Sequence, residues 1–210
     1  LVCFEGQCVD INGELCYLYW IHTSMESSLD KAVILSIGID ITLNKKAEAS
    51  LDWLAFHDPV TEIANKHLFL QRLPEMMASS LESQHSLAVM CCEVKRLTDS
   101  HLLMNLAGGD VTLFSVVADR VSNCLRSDDM VARFGDDLFM IILSGVKSKT
   151  NAGSVADKII SAFDEPFSIS DSRSKVTINI GISTFPGQSS NVAELVQSAE
   201  VAMYLSKEEG

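Results

Sequence analysis

The chain has 210 residues and a mass of 22.9 kDa, which is enough for one large domain or for one domain and part of a second. Sixteen lysines and arginines stand against 28 aspartates and glutamates, so the formal net charge is −12. Nucleic-acid binding depends on clustered basic residues that neutralise phosphates, and we therefore exclude it as the main function of so acidic a protein.

The sequence predicts no membrane segment. The longest apolar run, residues 32–41, contains Asp40 and has about half the length of a membrane span. The first residue is Leu and no signal-peptide pattern follows it, which predicts a piece of a longer, cytoplasmic chain. The six cysteines lack the spacing of zinc ligands and are typical of reduced, structural thiols.

The first 42 residues have the pattern of short strands. Alternating segments cover 9–11, 15–22 and 33–41, and Asn12-Gly13 between the first two predicts a hairpin turn. From Thr42, a predicted N-cap, the apolar spacing becomes helical. It predicts a connector helix over 43–56 with an apolar stripe suited to pairing with a second copy.

The remaining residues alternate between helical and strand patterns. Asn65 is a predicted N-cap, and Pro74 predicts a kink or an interruption in the helix that follows it. Predicted helices cover 66–83, 110–125, 151–163 and 192–206, and predicted strands cover 87–94, 130–134, 139–143 and 176–184. The order predicts an α/β or α+β domain with helices on a central sheet.

Four segments in register resemble the GGDEF domains, which as diguanylate cyclases join two GTP molecules into cyclic di-GMP. They are residues 56–66 (FHDPVTEIANK), 93–110, 126–139 (RSDDMVARFGDDLF), and 179–183 taken with 199–207. The resemblance covers about 53–210. It implies a nucleotidyl-cyclase-like fold with a central, mainly antiparallel sheet flanked by helices.

Residues 1–42 resemble the C-terminal end of a PAS sensor domain, since Asp40-Ile41-Thr42 matches the tripeptide that often closes one. The predicted organisation is therefore a PAS fragment over 1–42, a connector helix over 43–56 and a GGDEF domain over 57–210.

The resemblance implies a divalent metal held by Glu93, the Val94 carbonyl and Asp137. Glu93 replaces a shorter aspartate, so we expect any Mg²⁺ site to be weak. The signature reads Gly135-Asp136-Asp137-Leu138-Phe139. Asp136 replaces a glycine and would repel phosphate, and Leu138 replaces a glutamate and cannot accept a proton. These two catalytic positions are therefore degenerate.

Several other positions match nucleotide-binding residues of the family. His101 stands at the position of a guanine-binding Asn and Asp110 at that of its partner. Lys207 matches a phosphate-contacting Lys, and Arg133 and Gly135 are assigned to the nucleotide side of the signature loop.

Arg126 and Asp129 match the RxxD motif at which many diguanylate cyclases bind cyclic di-GMP as an inhibitory product. The motif begins nine residues before the signature, since 135 − 126 = 9. Guanidinium groups suit this ligand because they make bidentate contacts with phosphate. A solvated ion pair in a turn is the alternative for these two residues.

The resulting hypothesis is a catalytically inactive GGDEF domain that acts as a receptor for cyclic di-GMP, or as a regulatory module binding GTP or a partner domain. The first alternative is a weakly active diguanylate cyclase. The second is a homodimeric scaffold that relays a PAS signal through the connector helix to a downstream EAL domain.

Overall fold

The computed structural model describes residues 1–26, 32–96, 109–147, 149–169, 172–187 and 191–209. The chain divides into two compact units, residues 1–54 and 55–210, and the boundary falls within one helix. Among the described helices, none combines the length and the apolar character that crossing a bilayer requires.

The first unit contains a three-stranded antiparallel sheet in the order β1-β2-β3, formed by Val2–Val9, Leu15–Glu26 and Ala32–Asp40. Residues 10–14 form the first loop, which is longer than the predicted Asn12-Gly13 turn. The Asp10 carboxylate accepts hydrogen bonds from the backbone N–H groups of Asn12 and Glu14, and Gly13 takes a positive φ of 84°.

Helix α1 covers Thr42–Phe56. The prediction that Thr42 caps it is wrong, because the Asp40 carboxylate accepts the hydrogen bond from the Thr42 N–H at 2.8 Å. The Thr42 hydroxyl instead accepts from the backbone N–H of Tyr17 at 2.9 Å, which ties the start of the helix to β2. The negative charge of Asp40 at this helix end also interacts favourably with the positive end of the helix dipole.

The second unit is built on a five-stranded mixed sheet in the order β10-β5-β7-β6-β4. Its strands in chain order are β4 (Ala64–Asn65), β5 (Ser86–Arg96), β6 (Met130–Arg133), β7 (Leu138–Val146) and β10 (Val176–Phe185). Strand β4 pairs in parallel with β6, and the other pairs of this sheet among the described residues are antiparallel. A small ladder joins β8 (Phe167–Ile169) to β9 (Ser172–Ser174).

Four helices cover the two faces of this sheet: α2 (Lys66–Glu82), α3 (Gly109–Ser122), α4 (Lys149–Ala162) and α5 (Val192–Glu209). Alternate residues of β5 enter different cores, because successive side chains of a strand point to opposite faces. Cys92 packs with α3 and α4, and Cys91 packs with α2 and α5. The predicted helices and strands of this region are confirmed to within a few residues at their ends.

Helix α2 is capped by Asn65, as predicted, through a 3.0 Å hydrogen bond from the Leu68 N–H to the Asn65 side-chain oxygen. The predicted interruption at Pro74 does not occur, and the helix continues to Glu82. Pro74 lies on the exposed face, where water can satisfy the carbonyl of Leu70 that proline leaves without a backbone partner.

Helix α5 approaches β10 closely at Gly181. A Cβ atom at this position would collide with the backbone of Ala199 and Met203. Nearby, the buried Ser183 hydroxyl donates a 2.6 Å hydrogen bond to the Leu195 carbonyl. These contacts fix α5 on the sheet and thereby set the position of Lys207 near its end.

Candidate functional site

The hairpin between β6 and β7 has a loop over residues 134–137. The Phe134 N–H donates to the Leu138 carbonyl at 2.8 Å, which closes the loop. Gly135, Asp136 and Asp137 are exposed, whereas Leu138 is half-buried. The loop therefore presents two adjacent carboxylates to solvent, and the side chain at position 138 contributes no charge.

Arg133 holds the backbone of this loop. Its Nε donates to the Gly135 carbonyl at 3.0 Å and its Nη2 to the Asp136 carbonyl at 3.1 Å, while its Nη1 contacts Asp58 Oδ1 at 3.1 Å. The guanidinium also lies 4.8 Å from the centre of the Phe114 ring. The sequence assigned Arg133 to the nucleotide side; in this structure its donors are directed to the protein.

Asp58 connects the loop to the segment before α2. Its Oδ1 accepts from the Thr61 N–H at 2.9 Å, from the Thr61 hydroxyl at 2.8 Å and from Arg133. The pKa of Asp58 lies below its ordinary value: burial alone would raise it, and the hydrogen bonds from Thr61 and Arg133 outweigh burial. Asp58 is therefore ionised at neutral pH, and its contacts hold the signature loop to the segment before α2.

Glu93 lies in β5, where it pairs with Asn179 of β10 and Leu138 of β7. Its Oε1 accepts from Lys207 Nζ at 2.7 Å and its Oε2 from Asn179 Nδ2 at 3.3 Å. The Glu93 side chain is 14% exposed. Burial alone would raise its pKa, but the hydrogen bonds from Lys207 and Asn179 lower it below the ordinary value.

The implied metal ligands are neighbours in the fold. The Val94 N–H donates to the Asp137 carbonyl at 2.9 Å, next to Glu93. Both oxygens of Glu93 already accept hydrogen bonds, so a cation would compete with the Lys207 ammonium for this carboxylate. Within the described residues, no cluster of three or more His, Cys, Asp or Glu side chains has the geometry of a metal site.

For two residues that were predicted to bind nucleotide, the position of the side chain is not described. His101 lies outside the described residues. Asp110 is the second residue of α3, and its side chain also lies outside the described part. Of the other residues assigned to nucleotide binding, Lys207 donates a hydrogen bond to Glu93, and the Gly135 carbonyl accepts one from Arg133.

The RxxD pair borders a cavity of about 240 Å³ between the turn after α3, strand β7 and helix α4. The Asp129 carboxylate accepts from the backbone N–H groups of Arg126 at 3.0 Å and Ser144 at 3.1 Å, so it fixes the turn against β7. Arg126 is exposed, and its guanidinium has no hydrogen-bond partner among the described residues. Lys158 of α4 lines the same cavity.

Sequence reasoning assigned no role to Asn179 or Lys158. Asn179 carries an amide between the apolar residues Ile178 and Ile180 of β10, which is a signal for a side chain with a specific partner. Lys158 donates from Nζ to the Cys124 carbonyl at 2.9 Å. Nothing in the spacing indicates this contact, because Lys158 reaches the end of α3 from a separate helix.

We expect Lys207→Met to raise the pKa of Glu93. The substitution removes the ammonium that stabilises the carboxylate but leaves the carboxyl group buried, and burial disfavours ionisation. Nuclear magnetic resonance titration of the Glu93 side-chain carboxyl measures the change. Lys95→Met is the matched control, because Lys95 Nζ lies 3.9 Å from Glu93 and should have the smaller effect. Equal shifts in the two variants would contradict the assignment.

Comparison with known proteins gives one family. Residues 55–210 match the sequence model of the family described as "Diguanylate cyclase, GGDEF domain". The diguanylate cyclase TpbB of Pseudomonas aeruginosa is 33% identical over 160 residues, which are 76% of this chain and 37% of TpbB. The bifunctional diguanylate cyclase/cyclic di-GMP phosphodiesterase MucR of the same species is 28% identical, over 88% of this chain and 27% of MucR.

Solved structures show the same likeness. A truncated form of TpbB comprising only its GGDEF domain has a TM-score of 0.66 at 29% identity, covering 73% of this chain and 90% of that one. A sensory box/GGDEF family protein from Caulobacter crescentus shares the fold, with a TM-score of 0.65 at 24% identity over 74% of this chain and the whole of that one. The match extends over most of the chain and over the whole of the second unit, and the chain therefore belongs to the GGDEF diguanylate cyclase domain family.

Proposed function

We propose that this chain is a cyclic di-GMP signalling module whose GGDEF domain is catalytically inactive and acts as a receptor through Arg126 and Asp129. The observation that carries the proposal is the cavity beside this pair. Asp129 fixes the turn, the Arg126 guanidinium makes no hydrogen bond to any residue that the structure describes, and Lys158 adds a second cation. Two cations around a concave surface suit a ligand with two phosphates.

The volume of the cavity limits how it would be used. At about 240 Å³ it is smaller than the roughly 300–1,000 Å³ of sites that enclose a whole small molecule. Cyclic di-GMP would therefore be held by part of its surface, with one guanine and the adjoining phosphate in contact and the rest in solvent.

The state of the signature loop supports catalytic inactivity. Leu138 supplies no carboxylate, Asp136 adds negative charge where phosphate would approach, and Glu93 is paired with Lys207. Loss of one positioned polar group commonly costs about 10²–10³ in turnover. We infer that any Mg²⁺ site formed by Glu93, Val94 and Asp137 is weak, and that GTP or a partner domain is the other candidate ligand.

Calorimetric titration of cyclic di-GMP into the whole chain tests the receptor proposal. We expect saturable binding that Arg126→Ala weakens by about 10-fold or more, since a hydrogen bond to a charged group contributes about 1.5–3 kcal/mol. Arg72→Ala is the matched control, because Arg72 is an exposed arginine of α2 that does not line this cavity. Absence of binding, or equal binding by Arg126→Ala, would sink the proposal.

The alternative enzyme would be a weak diguanylate cyclase that uses Glu93 and Asp137 for metal. It is favoured by the proximity of these residues across the Val94–Asp137 hydrogen bond. It requires Mg²⁺-dependent release of pyrophosphate from GTP, which Asp137→Ala would abolish. A pyrophosphate assay of the parent protein and of Asp137→Ala therefore distinguishes the enzyme hypothesis from the receptor hypothesis.

The second alternative is a dimeric scaffold. Helix α1 has no buried residue, and its apolar Leu43 and Leu51 are 82% and 67% exposed. A homodimer formed through α1 would cover these residues. Light scattering would then give a lower molar mass for Leu51→Glu than for the parent protein, because the added charge would separate the two copies. In this alternative, residues 1–42 are the end of a PAS domain, which the antiparallel sheet and Asp40 support. The downstream partner is then an EAL domain, and the protein is cytoplasmic.

A further inference from the structure

Two cysteines of the N-terminal sheet form a pair to which the nucleotide chemistry gives no role. Cys8 near the end of β1 and Cys16 near the start of β2 are direct partners in the antiparallel register. Their Sγ atoms lie 2.8 Å apart, and both side chains are half-buried. This separation is shorter than a non-bonded contact between two sulfur atoms and longer than an S–S bond of about 2.05 Å.

The backbone already meets the requirement for a disulfide. Directly opposed residues of an antiparallel pair have Cα atoms about 4.5 or 5.5 Å apart, and disulfides span about 4.4–6.8 Å between Cα atoms. Both side chains also lie on the same face of the sheet, because they are register partners. Bond formation therefore needs rotation of side chains rather than movement of strands.

The other four cysteines have no such partner. Cys3 is exposed, and Cys91, Cys92 and Cys124 are buried. Cys91 and Cys92 point into the two different cores. Burial raises the pKa of Cys91 to about 12, so this thiol stays protonated and unreactive at neutral pH.

We propose that Cys8 and Cys16 form a reversible cross-strand disulfide, and that this pair is a modification site for low-molecular-weight disulfides such as oxidised glutathione. Sequence spacing predicted reduced thiols throughout, and the register of β1 and β2 changes that expectation for this pair alone.

The reaction is thiol–disulfide exchange and needs no other oxidant. The Cys8 thiolate attacks a sulfur of oxidised glutathione, forms a mixed disulfide and releases one glutathione. Cys16 then loses its proton, attacks the Cys8 sulfur and releases the second glutathione. Two protein thiols are oxidised and one glutathione disulfide is reduced to two thiols, so atoms and electrons balance.

The order of attack follows from the environment of the pair. A hydrogen bond with Cys8, followed by burial, raises the pKa of Cys16 to about 11. The Cys16 thiol also donates to the Cys8 carbonyl at 3.5 Å, which favours its protonated form, and the first attack is therefore assigned to Cys8.

Counting free thiols tests the proposal. The whole chain is incubated with oxidised glutathione, denatured, alkylated and weighed by mass spectrometry. We expect the number of alkylated cysteines to fall from six to four, with a loss of two hydrogen atoms and a peptide that links Cys8 to Cys16. Dithiothreitol should restore all six. Six alkylated thiols after oxidation, or glutathione retained on Cys8 without closure, would overturn it.

Two conservative variants separate the pair from the rest of the chain. Cys16→Ser should trap the mixed disulfide at Cys8, because the resolving thiol is missing. Cys3→Ser is the matched control, since Cys3 belongs to the same strand as Cys8 and should leave closure unchanged. If the intramolecular disulfide failed to form in Cys3→Ser but still formed in Cys16→Ser, the reaction would belong to Cys3, and the proposal would be contradicted.

Discussion

Replacing Gly181 by alanine is expected to lower the free energy of unfolding by about 3 kcal/mol or more. The new Cβ would collide with the backbone of α5 at Ala199 and Met203 rather than with a side chain that can rotate. Relief requires the whole helix to move from β10, and the Ser183–Leu195 hydrogen bond lies in the same contact. Urea denaturation followed by circular dichroism measures the change.

The control for this substitution is Gly153→Ala. Gly153 lies inside α4, and a Cβ built there would have no described atom within 4 Å apart from its chain neighbours and the backbone of its own helix. Alanine is the better helix former, so we expect a gain of about 0.5–1 kcal/mol. A loss of similar size in both variants would show that the close approach of α5 to β10 is not the cause. Gly181→Ala should also separate Lys207 from Glu93, because both effects follow from movement of α5.

Asp58→Ala should have the second largest effect, a loss of about 2–3 kcal/mol in the free energy of unfolding, because the ion pair with Arg133 is only partly buried. The Arg133 side chain is 10% exposed and would keep its charge without a carboxylate partner, which is the costly way to break an ion pair that is shielded from water. The buried Thr61 would lose its acceptor as well. Chemical denaturation measures the loss, and the double variant Asp58→Ala/Arg133→Met should recover part of it.

The contribution of Asp58 depends on pH in a defined direction. Its pKa in the folded protein is below the ordinary value of 3.8, so the stabilisation is fully present above that value and is lost as pH falls through the folded pKa. The stability difference between the parent protein and Asp58→Asn should therefore be constant near neutral pH and shrink in acid. A difference that grows below pH 4 would contradict this assignment.

Local signals in the sequence were sufficient for most of the second unit. The cap at Asn65, the two strands on either side of Gly135 and the apolar spacing within the strands each depend on neighbouring residues, and the structure has all three. Thr42 was mistaken for a cap because two polar residues, Asp40 and Thr42, compete at this helix end, and sequence alone does not show that β2 uses the Thr42 hydroxyl.

Contacts between distant residues could not be predicted. Lys207 and Glu93 are separated by 114 positions, and Arg133 and Asp58 by 75. Both pairs depend on how elements pack, through the approach of α5 to β10 in the first case and the placement of the segment before α2 in the second. The family resemblance identified three of these residues as site residues, but it did not indicate that the protein itself satisfies their charges.

The hydrogen bonds from Arg133 to the signature loop have a consequence for engineering. Its guanidinium contacts the carbonyl oxygens of Gly135 and Asp136, which every amino acid carries, and makes no use of the side chains at positions 136 and 138. The shape of the loop is thus uncoupled from its chemistry. Glycine at 136 and glutamate at 138 could be installed while both Arg133 contacts are kept, so that the contribution of each side chain to the chemistry of the hairpin can be measured separately.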